Sequence, residues 1–405
     1  MAFLSLVAFE GFGLKASAQD RPTVGVVLSG GGARGAAHVG FFRALEEAGI
    51  QVDYIVGSST GALVGAYYAA GWTPEEMTKV VESRDFSDRL KGRHAHSLLF
   101  KNDQVSPVLF DIRFSGNDGR FRSNLVSSLP LEWSLLEELG PAEALCRNDF
   151  DQLLIPFRCV GSDVLAKKDT VFRSGSLVRS VRASISFPFY LPPVWMDGRP
   201  FYDGGLYNNV PLDVMMQEFD PDIILVSAIQ SGTVDFESDD LLSQLEALIV
   251  RDQLEMNEAK NVWVIQPDLP VGTFDFEGMS HAIQVGFDDS GKYLKNSGLD
   301  SIGSTELFNG WKEIRRRFRE DLPPFSIDSC RVSGLEPSQT AYAERFLVGG
   351  LDDGRTQALK RNLFLLDSDD HIGRITPQTH WDSLTGMFDL QLDVQTEREL
   401  FFEVG

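Results

Sequence analysis

An apolar, β-branched run from Val24 to Leu28 breaks into Gly30-Gly31-Gly32-Ala33-Arg34-Gly35 and resumes with helical spacing from Ala36 to Glu47. That switch of period predicts a buried strand, a glycine loop and a helix. Tyr54 to Val56 repeats the strand pattern and ends in Gly57-Ser58-Ser59-Thr60-Gly61, and the small residues Ala62 to Ala70 then predict a closely packed helix. Thr73-Pro74-Glu75-Glu76 opens another helix, with Thr as cap, Pro at the first position and acids in the first turn, running to about Arg84. Pro130 to Leu139 reads as a helix stopped by Gly140-Pro141, Phe157 to Ser162 as a buried strand, and Ser176 to Ser184 as a helix. Pro211 to Phe219 and Leu307 to Phe318 have helical spacing, while Ile223 to Ile229 and Val262 to Ile265 are apolar strands. Strands alternating with helices predict an α/β fold, a mostly parallel sheet with helices on both faces. Both glycine-rich turns then lie at the carboxyl edge of that sheet, where open α/β folds bind ligands.

Two stretches depart from this alternation. From Asp85 to Asn124 the periodicity is poor, which suits either a lid or binding loop or a plain surface excursion. Asp321-Leu322-Pro323-Pro324 reads as a linker, and beyond it come Phe325 to Val332 (strand), Ser338 to Leu347 and Thr356 to Leu366 (helices), His371 to Ile375 (short strand) and Met387 to Val394 (alternating strand). This β-α-α-β-β order in about 80 residues predicts a small α+β domain. The expected boundaries are 22–320 and 325–405.

Composition narrows the partners. The 405 residues carry 43% hydrophobic and 24% charged side chains, typical of a globular chain. A net charge of −22 argues against nucleic acid, and against docking on anionic membrane without apolar contact, a local basic patch or a tether. One basic cluster stands out: Lys312, Arg315, Arg316, Arg317 and Arg319. It reads either as a helix face paired with nearby acids or as a contact for lipid headgroups. Cys146, Cys159 and Cys330 have no CxxC spacing and read as buried thiols. At the amino terminus, the apolar Phe3 to Leu14 followed by Ala16-Ser17-Ala18 predicts a signal peptide over 1–18, although no Lys or Arg precedes the run and Glu10 interrupts it.

The candidate chemistry sits at the two turns. Gly57-x-Ser59-x-Gly61 after a strand and before a helix has the form of a nucleophile elbow, whose glycines let the chain turn tightly enough to expose the central serine. Asp203-Gly204-Gly205, in FYDGGLYNNVPLDV, is by itself an ordinary turn motif. GGGARG, GSSTG and DGG in this order resemble the patatin-like phospholipase family, as do Ala183-Ser184-Ile185-Ser186-Phe187-Pro188 and Leu191-Pro192-Pro193-Val194. The resemblance covers roughly Pro22 to Pro270. It implies a Ser-Asp dyad in which Ser59 attacks a lipid ester and Asp203 takes its proton, with Gly30, Gly31, Gly32, Ala33, Arg34 and Gly35 as the oxyanion hole. It further implies a phospholipid or lysophospholipid substrate and no metal or other cofactor.

The residues themselves are consistent with that scheme. None of the six histidines follows the elbow as a triad histidine would, and His38 reads as structural. Phe201 and Tyr202 are suited to desolvating Asp203 and so raising its basicity. Gly30-x-Gly32-x-x-Gly35 also fits a dinucleotide loop, but the acidic ribose ligand is missing, since Asp53 precedes the second strand. Arg34 braces the loop through carbonyl contacts or meets a phosphate headgroup. Asn208 and Asn209 shape the turn after Asp203.

The small second domain resembles a polypeptide-transport-associated (POTRA) domain. In one branch of the patatin family such a module joins the hydrolase to an outer-membrane β-barrel, so the apolar run Glu399 to Gly405 is expected to lead into a barrel. Together with the signal peptide this gives a periplasmic or outer-membrane-associated location, with a homodimer among the open oligomeric states. The rival functions are a general carboxylesterase, an acyltransferase, or a non-enzymatic periplasmic scaffold.

Overall fold

A computed structural model describes residues 21–93, 114–115, 120–121, 126–229, 261–348, 355–369 and 371–396. The expected signal peptide, the carboxyl-terminal run and most of the lid candidate lie outside these residues. The first layer of the fold is built from β1 (Val24–Leu28), α1 (Ala37–Glu47), β2 (Tyr54–Ser58) and α2 (Thr60–Ala69), followed by α3 (Pro74–Val81) and α4 (Arg84–Leu90). A short ladder, β3 (Phe114–Ser115) with β4 (Arg120–Phe121), precedes α5 (Leu129–Leu145), β5 (Phe157–Asp163), β6 (Lys168–Phe172) and α6 (Leu177–Ser184). Then come β7 (Val194–Met196), β8 (Arg199–Asp203), α7 (Leu212–Glu218), β9 (Ile223–Ser227), β10 (Val262–Ile265), α8 (Met279–Ser297) and α9 (Thr305–Glu320).

The main sheet has the order β10-β9-β1-β2-β5-β8-β7, with β6 also on β5. Its first five strands are parallel, as expected, whereas the pairings of β6 and β8 with β5 and of β7 with β8 are antiparallel. Alternation along β1 sends Val26 and Leu28 into the core beneath α1, α2 and α8, and sends Val27 to the opposite face beneath Val214 and Met215 of α7. Both faces are therefore covered.

Three expectations are corrected. α5 does not stop at Gly140-Pro141 but passes through it to Leu145. A proline inside a helix costs about 3 kcal/mol. Here Leu131, Trp133, Leu135, Leu136, Leu139 and Ala142 are all buried, and each large one contributes roughly 1.5–3 kcal/mol, so packing outweighs the break. The start of the expected irregular stretch is helical, because Ser83 caps α4 by accepting from the Phe86 amide at 3.3 Å. The 19-residue α8 matches no predicted element. Its buried face, Met279, Ala282, Ile283, Gly286, Ser290 and Leu294, keeps helical spacing but breaks its run of large apolar residues with Gly286 and Ser290. The small residues let it lie on the backbone of α1, where a Cβ on Gly286 would stand 2.3 Å from the Ala37 carbonyl oxygen.

The second unit follows the expected order: β11 (Ile327–Ser333), α10 (Pro337–Val348), α11 (Arg355–Asp367), β12 (Ile372–Asp382) and β13 (Met387–Thr396). β13 is central, parallel to β11 and antiparallel to β12. β12 is much longer than the short strand expected. The unit shares its core with the first, because Leu129 and Trp133 of α5 pack among Ile327, Leu363, Phe364 and Phe388. Lys360 of α11 also meets Glu137 of α5 at 2.6 Å.

Candidate active site

β2 ends at Ser58 and α2 begins at Thr60, so Ser59 alone makes the turn between them. Close approach dictates the flanking glycines: a Cβ on Gly61 would stand 2.4 Å from the Leu28 carbonyl oxygen, and one on Gly57 2.5 Å from that of Gly61. Ser59 has φ 52° and ψ −128°, a conformation that costs a non-glycine residue about 1–3 kcal/mol and persists only where its surroundings impose it. Its carbonyl accepts from the Ala62 and Leu63 amides, which ties it to the first turn of α2.

Asp203 reaches the serine through strand register. Along β5, Val160 faces Ser58 of β2, and the next residue, Gly161, faces Asp203 of β8. The Ser59 hydroxyl donates to Asp203 Oδ2 at 2.7 Å, and Asp203 Oδ1 accepts from the Gly205 amide at 2.8 Å. Both side chains are buried. Desolvation raises the Asp203 carboxyl to about 6, against the opposing pull of the Ser59 and Gly205 hydrogen bonds. Of the aromatic neighbours expected to desolvate it, Phe201 packs edge-on against Phe172 at 5.3 Å, while Tyr202 is half-buried.

The glycine loop lies directly against the nucleophile. A Cβ on Gly30 would come 2.9 Å from that of Ser59 and 2.4 Å from Asn209 Oδ1. Not all of the loop's amides are free for a ligand: Gly30 donates to the Asn209 carbonyl at 3.2 Å and Ala33 to that of Thr273 at 2.7 Å. Among the described residues, the Gly31 and Gly32 amides meet no protein acceptor. Arg34 is buried and donates to the Thr273 hydroxyl at 2.5 Å, and Thr60 Oγ1 donates to the Gly32 carbonyl at 2.9 Å. Arg34 thus braces the loop, with the Thr273 hydroxyl among its partners.

The remaining candidates are structural. His38 is fully buried, with Nε2 2.8 Å from the Ser29 carbonyl and Nδ1 2.9 Å from the Ser227 hydroxyl. Burial holds it at about 4, so it is neutral and ties the strand ends beneath the loop. Asp53 binds Arg21 and the Val24 amide at the opposite end of β1, away from the glycines, which removes the dinucleotide reading. Asn208 donates to Asp169 and Asp213. The basic cluster is committed to acids and rings: Arg315 to Glu46 at 2.7 Å and over Trp311, Arg316 and Arg317 to Glu313, Arg319 over Trp72, and Lys312 over Phe308. α9 therefore presents the paired face expected of it. All three cysteines are buried and free. Among the described residues no group of acids, histidines and cysteines could hold a metal, and no helix is long and apolar enough to cross a membrane.

Thr273 and Ser184 were not singled out by residue reasoning. Thr273 carries no sequence signal, lying in a loop far from any motif residue. Ser184 lies in the Ala183 to Pro188 stretch before Asp203, and nothing in the sequence marks its hydroxyl.

The family model described as patatin-like phospholipase matches residues 26–216, a span that holds both Ser59 and Asp203. The patatin-like phospholipase domain-containing protein ZK370.4 of Caenorhabditis elegans is 37% identical over 204 residues, 47% of this chain and 12% of that protein. Lysophospholipase NTE1 of Mycosarcoma maydis is 31% identical over 195 residues, 48% of this chain and 9% of that protein. The match thus spans about a tenth of the length of either relative. Among solved structures, VipD from Legionella pneumophila is 15% identical, covers 69% of this chain and 67% of its own, and gives a TM-score of 0.35.

Proposed function

We propose, on the premise that residues 26–216 form a patatin-like phospholipase domain, that this chain is a serine acyl hydrolase cleaving phospholipid or lysophospholipid esters through an acyl-enzyme on Ser59. The observation that carries the reading is the 2.7 Å hydrogen bond from Ser59 Oγ to Asp203 Oδ2. A hydroxyl is a weak nucleophile until a base takes its proton. Asp203 does so as Oγ attacks the ester carbonyl carbon, and returns that proton to the departing alcohol. Water then gives a proton to Asp203 and attacks the acyl group, releasing the fatty acid and restoring Ser59. A base held near 6 by burial is ionised at neutral pH, yet is a better proton acceptor than a solvated carboxylate.

The negative oxygen of each tetrahedral intermediate needs donors placed in advance. Gly31 and Gly32 suit that role best among the six loop residues, since the Gly30 and Ala33 amides already serve carbonyls. The lysophospholipase name of the fungal relative favours a lipid ester over a small soluble one. The test is lipid mass spectrometry on vesicles of mixed phospholipid and lysophospholipid, with chelator present, comparing wild type with Ser59→Ala. Release of free fatty acid by wild type alone supports the reading. Acyl groups appearing on a second lipid would identify an acyltransferase, and loss of activity in chelator would count against the metal-free dyad.

The β-α-α-β-β order of the second unit supports a POTRA-like module, and with it a periplasmic or outer-membrane-associated location. Expression in a bacterial host tests this: a periplasmic product beginning at Gln19 agrees with it, and an uncleaved cytoplasmic product contradicts it.

A further inference from the structure

The two dyad residues approach each other from different strands, and the end of α6 with the two residues after it holds both. Ser184, the last residue of α6, accepts a hydrogen bond from the Ser59 amide at 2.9 Å and donates its own proton to the Val160 carbonyl at 2.5 Å. Two residues on, the Ser186 carbonyl accepts from the Asp203 amide at 3.0 Å. Ser186 is fixed in turn, its hydroxyl donating to the Arg182 carbonyl at 2.8 Å and accepting from the Arg182 guanidinium at 2.6 Å. Arg182 is buried against Glu132 of α5 at 3.1 Å. Ser184 and Ser186 are themselves fully buried.

Ser59 has no intrinsic reason to keep φ 52°. Its carbonyl is tied to α2 and its hydroxyl to Asp203, while its amide is held from outside by Ser184. We propose that the carboxyl end of α6 and the two residues after it form a positioning clamp that sets the spacing of the dyad, with Ser184 the positioning residue for the nucleophile and the Ser186 carbonyl the anchor of the base. The Ser184 hydroxyl does not touch the reacting atoms. It acts through the Ser59 peptide, keeping Oγ within reach of Asp203, and its bond to Val160 ties that setting to the strand whose register brings in Asp203.

The inference rests on the proposed hydrolase reading for its kinetic consequence but not for its structural one, so the test reads both. Ser184→Ala is compared with Ser180→Ala, a hydroxyl equally buried on the same helix that serves only the Ser176 carbonyl at 2.8 Å. Rates are normalised to folded protein by circular dichroism and thermal melting. We expect Ser184→Ala to lower kcat on a soluble short-chain ester, and the rate of fluorophosphonate labelling of Ser59, by 10- to 100-fold with KM within twofold, and Ser180→Ala to leave both rates unchanged. A crystal structure of Ser184→Ala is expected to show Ser59 relaxed from positive φ or its Oγ beyond hydrogen-bond distance of Asp203. Wild-type rates in Ser184→Ala, equal losses in the two variants, or unchanged Ser59 geometry in that crystal would overturn the clamp. If wild type hydrolyses no ester, the functional reading fails while the crystal geometry still decides the clamp.

Discussion

Asp203 stands opposite Gly161 in the β5–β8 ladder, one residue beyond the Val160 that faces Ser58. The nucleophile and its base are thus brought together by consecutive positions of a single strand. A one-residue slip of β8 would turn Asp203 to the other face of the sheet, so hydrolysis depends on register as much as on the two side chains.

The acid limb of activity follows from Asp203. Only its ionised form accepts a proton, and burial has raised it to about 6. The profile of kcat/KM against pH is expected to fall as pH drops through about 6, not through the range near 4 of a solvated carboxylate.

The same burial makes the base a cost to stability. A carboxyl raised from 3.8 to about 6 on folding favours the native state fully below 3.8, and that contribution is lost as pH rises through about 6. It amounts to about 3 kcal/mol. Asp203→Asn is therefore expected to raise the melting temperature at pH 7 to 8, with the gain gone below pH 4, while hydrolysis is abolished.

His38 works in the opposite direction. Lowered from 6.5 to about 4 by burial, it contributes stability that is fully present above 6.5 and lost as pH falls toward 4. In wild type the two groups partly cancel between pH 4 and 6.5. In Asp203→Asn the His38 slope stands uncovered, so thermal melts across this window should fall more steeply with acid than those of wild type.

Breaking the buried pair of Arg182 and Glu132 should destabilise strongly. Removing one partner strands the other charge, at a cost of about 3–5 kcal/mol. Urea midpoints of Arg182→Met and Glu132→Leu are expected to drop well below wild type, and the double variant to recover most of the loss at an unchanged m-value.

The elbow glycine tolerates no methyl group. In Gly61→Ala the new Cβ would meet the Leu28 carbonyl at 2.4 Å, and such overpacking against backbone costs about 1–3 kcal/mol. The variant should melt lower and label at Ser59 far more slowly, because the displaced turn carries the nucleophile with it.

Much of this site was legible in the sequence because its determinants are local. The β1–loop–α1 and β2–elbow–α2 units announce themselves through a change of hydrophobic period and through glycines that close approach requires. Partnership across 144 positions does not show in spacing, and Asp203 was identified by resemblance. The antiparallel strands β6 to β8 were missed because they are short and prolines at 193 and 200 interrupt their pattern. The helix at 279–297 was missed because Gly286 and Ser290 interrupt the apolar stripe of Met279, Ile283 and Leu294, and the break expected at Gly140-Pro141 was overridden by core packing that no local rule sees. The Ser184 hydroxyl was invisible for a related reason: a serine near a helix end is common, and only the fold shows which amide it meets.

The activation of Ser59 by Asp203 is tested most directly by intact-mass and peptide mapping after fluorophosphonate treatment of wild type, Ser59→Ala and Asp203→Asn. Wild type should gain one adduct per chain on the peptide containing Ser59, Ser59→Ala none, and Asp203→Asn the same adduct at least 100-fold more slowly, about 3 kcal/mol of lost activation. Labelling of Asp203→Asn at the wild-type rate, or an adduct on any residue other than Ser59, would contradict the account.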